Sequence, residues 1–276
     1  MVVSKLAVDD LGLPPLFYAA LRSALVVLAL APLLRRVPEN LPRVLGVGLA
    51  ISGGSFALLF VGLKTASPSA AGIVGLAGAP LTVLFAILIL KEQLRWRRAL
   101  GIALTFVGVA AAIGSPSGLE SGWGLGFVFA SAVVGALGSV FFKRLAVGAV
   151  AMQAWAGLAS AIVLFPLSFA LESGQGAALA AAPLAVAGCV AFAGLVVSVG
   201  AHSSYYRILR NHDANLVAPF TLLTPLLTIA FGAWLTGDPV GWPLLGGAAL
   251  AMLGVAIIVL RPSRTLFKPL LVRPRL

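Results

Sequence analysis

The sequence predicts an all-α integral membrane protein, a bundle of transmembrane helices. Three observations carry this. Residues of the AVILMFWYC set make up 61% of the 276, and only 10% are charged, where a soluble domain carries roughly 25% charged residues; mean hydropathy is +1.09. Apolar runs long enough to cross the hydrocarbon core, about 20 residues each, recur along the whole chain. None of them alternates with period two long enough to be a barrel strand.

Nine such runs can be marked, at about 14–34, 43–63, 68–90, 97–114, 123–142, 149–171, 183–204, 214–235 and 242–260. The connectors are short and carry turn chemistry, as in Arg35-Arg36-Val37-Pro38, Gly114-Ser115-Pro116-Ser117-Gly118, Glu172-Ser173-Gly174 and Gly237-Asp238-Pro239. They leave no room for a sizeable soluble domain. A single cysteine, Cys189, excludes a disulfide framework and a cysteine-based metal site.

The net charge of +11 raises nucleic acid as a partner, but the charges form no stripe. If the connector after the first run is cytoplasmic and the rest alternate, the cytoplasmic side holds Arg35, Arg36 and Arg43, then the clusters at 91–98, 143–144 and 207–210, and the tail from Arg261 to Arg275. Sixteen basic residues then face Lys64 alone on the other side, with Lys5 and Arg22 unassigned. This asymmetry sets orientation by the positive-inside rule. It places the C-terminus in the cytoplasm and accounts for the basic balance without nucleic acid.

The two halves of the chain resemble each other. Leu21-Arg22-Ser23-Ala24 aligns with Leu158-Ala159-Ser160-Ala161, Pro80 with Pro225, and Glu92, Trp96, Gly101 and Gly108 with Asp238, Trp242, Gly247 and Gly254. The same order in both halves predicts an internal duplication, with units at 1–115 and 120–262 and a basic cytoplasmic tail at 263–276. The second unit has five runs and the first has four. The stretch Val2-Val3-Ser4-Lys5-Leu6-Ala7 corresponds to the end of the 123–142 run. The expectation is therefore a reading frame that starts inside the first transmembrane helix; the other reading is a nine-helix protein with a short extracytoplasmic N-terminus. Five helices per unit is an odd number, so equivalent helices run in opposite directions, as in inverted-repeat transporters working by alternating access.

Phe56-Ala57-Leu58-Leu59-Phe60-Val61-Gly62-Leu63-Lys64-Thr65-Ala66, then Ala79-Pro80-Leu81 and Leu90-Lys91-Glu92-Gln93-Leu94 leading to Gly101 and Gly108, resemble the EamA domain of the drug/metabolite transporter superfamily. The Pro-Pro-Leu and Ala-Ala-Leu-Arg pattern from Pro14 to Arg22 resembles its second helix. The likeness covers both halves and is sharper in the first. In the second, Gly237-Asp238 stands where Lys91-Glu92 would, and no lysine matches Lys64. The resemblance implies ten helices in two inverted five-helix repeats around a central cavity, efflux of small metabolites with amino acids often among them, and a bacterial inner-membrane location. The family's first helix normally ends in a lysine like Lys5.

Ionisable residues within membrane spans are candidate functional groups. All eight acids lie in connectors or at helix ends, so no carboxylate is placed to carry a proton at mid-membrane. Arg22 is the clear intramembrane charge. It serves either as an anchor for a substrate carboxylate or as a structural cation that snorkels outward or bonds to backbone carbonyls of the partner repeat.

Two helices are interrupted at corresponding places, one by Gly72, Gly75, Gly78 and Pro80, the other by Pro219, Thr221, Thr224 and Pro225. Proline removes a backbone donor, and paired interruptions point to a binding site or gate; the alternative is close packing through small residues. Gly75, Gly78, Pro80, Pro219 and Pro225 are thus candidate hinges, and Thr221 and Thr224 candidate binding residues. Gly53, Gly54, Ser55 and Phe56 reach mid-membrane, where Ser55 and Phe56 are further candidates. Trp155, near Gln153, either stacks on substrate or belongs to the interfacial belt. His202, Ser203, Ser204, Tyr205 and Tyr206 read as an interfacial cap rather than a proton relay, Lys64 as an interfacial anchor, and Cys189 as inert packing. The small-residue face of Gly101, Thr105 and Gly108, repeated at Gly247, Ala251 and Gly254, suits close contact within the bundle or between the protomers of a homodimer.

An enzyme would need a nucleophile–base pair or a metal cluster. The sequence has no His-Glu-x-x-His and no second cysteine, and places neither histidine at mid-membrane. The expectation is a transporter without cofactor, exporting small metabolites, most simply amino acids. A sugar or nucleotide-type carrier and a non-transporting membrane subunit are the alternatives. A phosphate-bearing cargo would want several cations facing the cavity, and Arg22 alone is available.

Overall fold

The computed structural model describes residues 1–91, 96–201, 204 and 223–259. Eight of its helices are long and apolar enough to cross a membrane, a ninth is apolar and shorter, and no strand occurs among the described residues. In chain order, α1 is a short segment, Val2–Lys5 continued by Leu6–Asp10. The spans α2 (Pro15–Arg35), α3 (Leu41–Gly62), α4 (Pro68–Leu90) and α5 (Trp96–Ile113) follow. Then come α6 (Gly124–Phe142), α7 (Ala149–Leu171), α8 (Pro183–Ala201), the shorter α9 (Leu223–Leu235) and α10 (Trp242–Val259). Short helices at Pro116–Glu120 and Gln175–Ala181 cover connectors. The eight long helices lie within a few residues of the runs expected from sequence. The first part of the 214–235 run, with Pro219 and Thr221, lies outside the described residues, as do Glu92, His202, Ser203, Tyr205, Tyr206 and the basic tail.

Helix starts follow local chemistry. Pro15, Pro68 and Pro183 each open a helix, where the missing N–H costs nothing and the fixed φ suits the first turn. Ser67 caps α4 by accepting from the Ala70 amide at 3.2 Å. Carboxylates from the second half cap two helices of the first: Glu172 accepts from the Leu16 and Phe17 amides at 2.9 and 3.1 Å. Asp238 accepts from the Ser69 amide at 2.8 Å and from the Ser69 hydroxyl. These acids therefore serve helix ends.

α1 ends in a π-helical turn over Leu6–Asp10 and α2 in a 3-10 turn over Ala31–Arg35, and three further helices depart from regular geometry within the span. α4 breaks at Leu76 and Ala77, whose amides donate to the carbonyls three residues back, Ile73 and Val74, both at 3.0 Å. Pro80 has no N–H to offer the Leu76 carbonyl, and the Ala79 amide takes it instead at 3.3 Å. α3 and α8 widen to the five-residue hydrogen-bond spacing of a π-helix, over Leu49–Gly54 and Phe192–Ala201. Such widenings are frequent at functional sites.

The helices pack α5 on α10, α2 on α7 and α3 on α6, with α4 against both α6 and α9, α3 also against α7, and α8 against α2. The α5–α10 seam is backbone on backbone. A methyl on Gly101 would lie 2.7 Å from the Gly254 carbonyl, and one on Gly247 would lie 2.7 Å from the Gly108 carbonyl. The small-residue face thus makes a contact within one chain, and Thr105 is buried in it. Tyr18, Phe60, Leu63, Ile73 and Val74 form the core between α2, α3 and α4. Trp96, Trp123, Trp234 and Trp242 are exposed at helix ends, as expected of a membrane-interface belt.

Candidate functional site

Arg22 projects from the middle of α2 and is only 4% exposed. The widened turn of α8 receives it: Nε donates to the Ser198 hydroxyl at 2.9 Å and to the Ala193 carbonyl at 3.3 Å. The Ser198 hydroxyl itself donates to the Ala193 carbonyl at 2.6 Å, five residues back. On the other side the guanidinium lies 3.6 Å from the Phe56 ring centroid and 6.0 Å from that of Phe60, a cation–π contact. The contacts with α8 are the carbonyl bonding considered from sequence; outward snorkelling does not occur. The terminal guanidinium nitrogens make no hydrogen bond to other described residues, and no carboxylate among them pairs with Arg22.

The guanidinium borders a cavity of about 210 Å³ between α2, α3, α6, α7 and α8, whose polar lining also includes Ser23, Ser52, Ser139, Gln153 and Ser198. Gln153 Nε2 donates to the Ser198 carbonyl at 2.6 Å, tying α7 to the same turn of α8. A second cavity, of about 340 Å³, lies between α3, α4 and α6 and is lined by Ser55, Gly75, Gly78, Thr82, Ser131 and Gly135 among others. Ile51 and Ser139 border both. Neither lining contains an Asp or Glu, and Arg22 is the sole Lys or Arg in them.

The structure brings together Arg22 and Phe56 in the first cavity and Ser55, Gly75 and Gly78 in the second. Pro80 is buried beside the break in α4 without lining either space. Trp155 is 6% exposed and packs with Val44 and Met152 in an apolar cluster, so its neighbours Met152, Gln153 and Ala156 face the cavity instead. Thr224 is exposed, Pro225 is buried, and neither lines either of these two cavities. Sequence reasoning missed Ser198, Ser52, Ser131, Ser139 and Thr82. Each is a lone hydroxyl in an apolar run, and such residues commonly bond their own helix carbonyls; only Ser52 and Ser198 lie in the widened turns, and helix packing alone turns Ser131, Ser139 and Thr82 to the cavities.

The EamA-like transporter family profile matches residues 1–114 and 122–260. The chain belongs to the EamA-like transporter family. Among curated proteins this EamA-like transporter is 28% identical over 257 residues to a "Probable amino-acid metabolite efflux pump" of Salmonella typhimurium, covering 90% of this chain and 86% of that one. It is 29% identical to a "Probable terminal-alkyne amino-acid exporter" of Streptantibioticus cattleyicolor, over 95% of this chain and 88% of the other. A crystal structure covering 93% of each chain superposes with a TM-score of 0.57 at 22% identity, and so shares the fold. The EamA-like transporter is a multi-pass membrane protein and not an enzyme.

Proposed function

We propose that this EamA-like transporter is a secondary exporter of small metabolites, amino acids foremost, moving its substrate by alternating access between two inverted five-helix repeats. The observation that carries the reading is Arg22: a buried cation at a cavity wall, without a carboxylate partner among the described residues. An unpaired intramembrane charge is costly. A substrate carboxylate would pair with the terminal nitrogens in the forked geometry that guanidinium favours. The names of the two relatives above support the amino-acid class. The pairing of α2 with α7, α4 with α9 and α5 with α10, each joining helices of equivalent register, supports a two-fold arrangement of repeats. The distribution of basic residues supports a cytoplasmic C-terminus, and the bacterial sources of the two relatives support a bacterial inner membrane.

A sugar-phosphate or nucleotide cargo fits less well, because Arg22 is the sole Lys or Arg in either lining. With no Asp or Glu there, the carboxylate-based proton exchange of other transporters has no carrier in the described cavities. The test is counterflow in proteoliposomes containing the full chain, with labelled amino acids supplied one at a time. Exchange of at least one is expected, with a rate that an imposed pH gradient changes by less than about twofold. Folded protein that exchanges none of them would overturn the reading.

A further inference from the structure

Among the described residues, the hydrogen bonds of Arg22 all leave from Nε. Their main acceptor, Ser198, is 1% exposed and sits in the widened part of α8, Phe192–Ala201. A serine in a regular helix bonds back to the carbonyl three or four residues earlier. Ser198 instead donates to the Ala193 carbonyl, five residues back, at 2.6 Å. A hydroxyl has one proton, so this bond commits it, and the lone pairs left on Oγ take the Arg22 Nε–H at 2.9 Å. The same Ala193 carbonyl faces Nε at 3.3 Å. Gln153 of α7 donates to the Ser198 carbonyl at 2.6 Å, so a third helix braces the turn. The Phe56 ring, 3.6 Å from the guanidinium carbon, covers the group from another side.

We propose that Ser198 is the positioning residue of the transport site: it fixes the rotation of the Arg22 guanidinium, so that the terminal nitrogens are held ready for a substrate carboxylate. This rests on the exporter reading above. The neutrality of the acceptor matters. An aspartate at this position would pair with Arg22 and cancel the charge that the substrate has to meet, whereas a hydroxyl orients the group without neutralising it. Arginine has a long, rotamer-rich stem. Holding such a side chain in its bound geometry before the substrate arrives lowers the ordering cost of binding. Ser198 therefore acts on affinity and on recognition of the carboxylate, and leaves the movement between states to other residues.

The experiment is counterflow with the full chain in proteoliposomes, on those of the standard labelled amino acids that the wild type exchanges. Each is run in competition with its unlabelled form and with its carboxamide, such as L-leucinamide against L-leucine. S198A is expected to raise KM about five- to tenfold, the scale of one side chain that must be ordered on binding, and to leave the maximal rate within about twofold of wild type. The preference for the acid over its amide should fall by a similar factor, a change that general loosening of the helix would not produce. S198C is close to serine in size but carries a weakly accepting sulfur. It should behave as S198A does, and it gives the reading if S198A does not fold. An unchanged KM in the folded variant, a fall in maximal rate alone, or equal losses for acid and amide would overturn this inference while leaving the exporter reading intact. Folded wild-type protein that exchanges no amino acid would overturn both.

Discussion

The α5–α10 seam and the α2–α7 seam are both built from apolar helices of equivalent register, yet they do opposite things. Along α5–α10, glycines let the backbones meet, and a methyl on Gly108 would lie 2.6 Å from the Gly247 carbonyl and 2.8 Å from Ala251 Cα. Along α2–α7 the approach is looser: a methyl on Gly157 would lie 3.2 Å from the Ser23 carbonyl and 3.3 Å from Val26 Cγ1. The slack is not lost. It forms one wall of the Arg22 cavity, to which Ser23, Val26 and Gly157 all contribute. In lipid, where apolar burial gives no advantage to helix association, packing and hydrogen bonds decide which seams close. The difference teaches that glycine at the contact closes one seam backbone on backbone, while the looser seam leaves the wall of a cavity.

The largest effect is expected at the site wall. R22M removes a buried charge and should lower transport by a hundredfold or more. Because the described residues offer that charge no counter-ion, the thermal midpoint of the purified protein should stay level or rise. A marked fall in midpoint would make Arg22 a structural strut like the other seam. R22K should recover little activity, since an ammonium lacks the planar fork. Next comes the closed seam. G108V overpacks backbone against backbone and should destabilise by about 1–3 kcal/mol, read from unfolding in a mixed-micelle denaturant titration, whereas G157A should cost less than about 1 kcal/mol. Equal costs would erase the distinction between the seams.

Smaller effects are expected at the capped end of α2 and at a single hydroxyl inside the closed seam. E172A removes the cap of α2 and should cost about 1 kcal/mol in the same titration. T105V tests the weakest link: its hydroxyl donates to the Gly101 carbonyl at 2.8 Å within its own helix and reaches the Ala251 carbonyl across the seam at only 3.4 Å. The loss should be about 0.5 kcal/mol.

Much of the fold was legible because bilayer crossing imposes length and apolarity on each helix. The eight long spans and their connectors follow from that constraint. Arg22 stood out for the same reason, as a charge where charges are costly. Gly75, Gly78, Ser55 and Phe56 were legible as small or polar interruptions at mid-span. Trp155 was not: aromatic residues suit core, belt and pocket equally, and a rotation of about 100° between successive helix positions put Gln153 on the cavity and Trp155 in the cluster with Val44 and Met152. The small-residue face was legible as an interface, but its partner was not, because glycine spacing is the same for a seam within the chain and one between protomers.

The sequence by itself determined that the chain crosses a membrane and where the eight long helices among the described residues run. It also determined that one arginine lies among them and that two halves share a pattern. These depend on local composition measured against a fixed hydrocarbon thickness. Only the tertiary structure decided that α8 widens around Arg22, that Ser198 and Phe56 meet the guanidinium from opposite sides, and that Ile51 and Ser139 border both cavities. Those facts depend on which helices touch and on the rotation of each about its axis, and in a chain this uniformly apolar the hydrophobic pattern leaves that rotation unspecified.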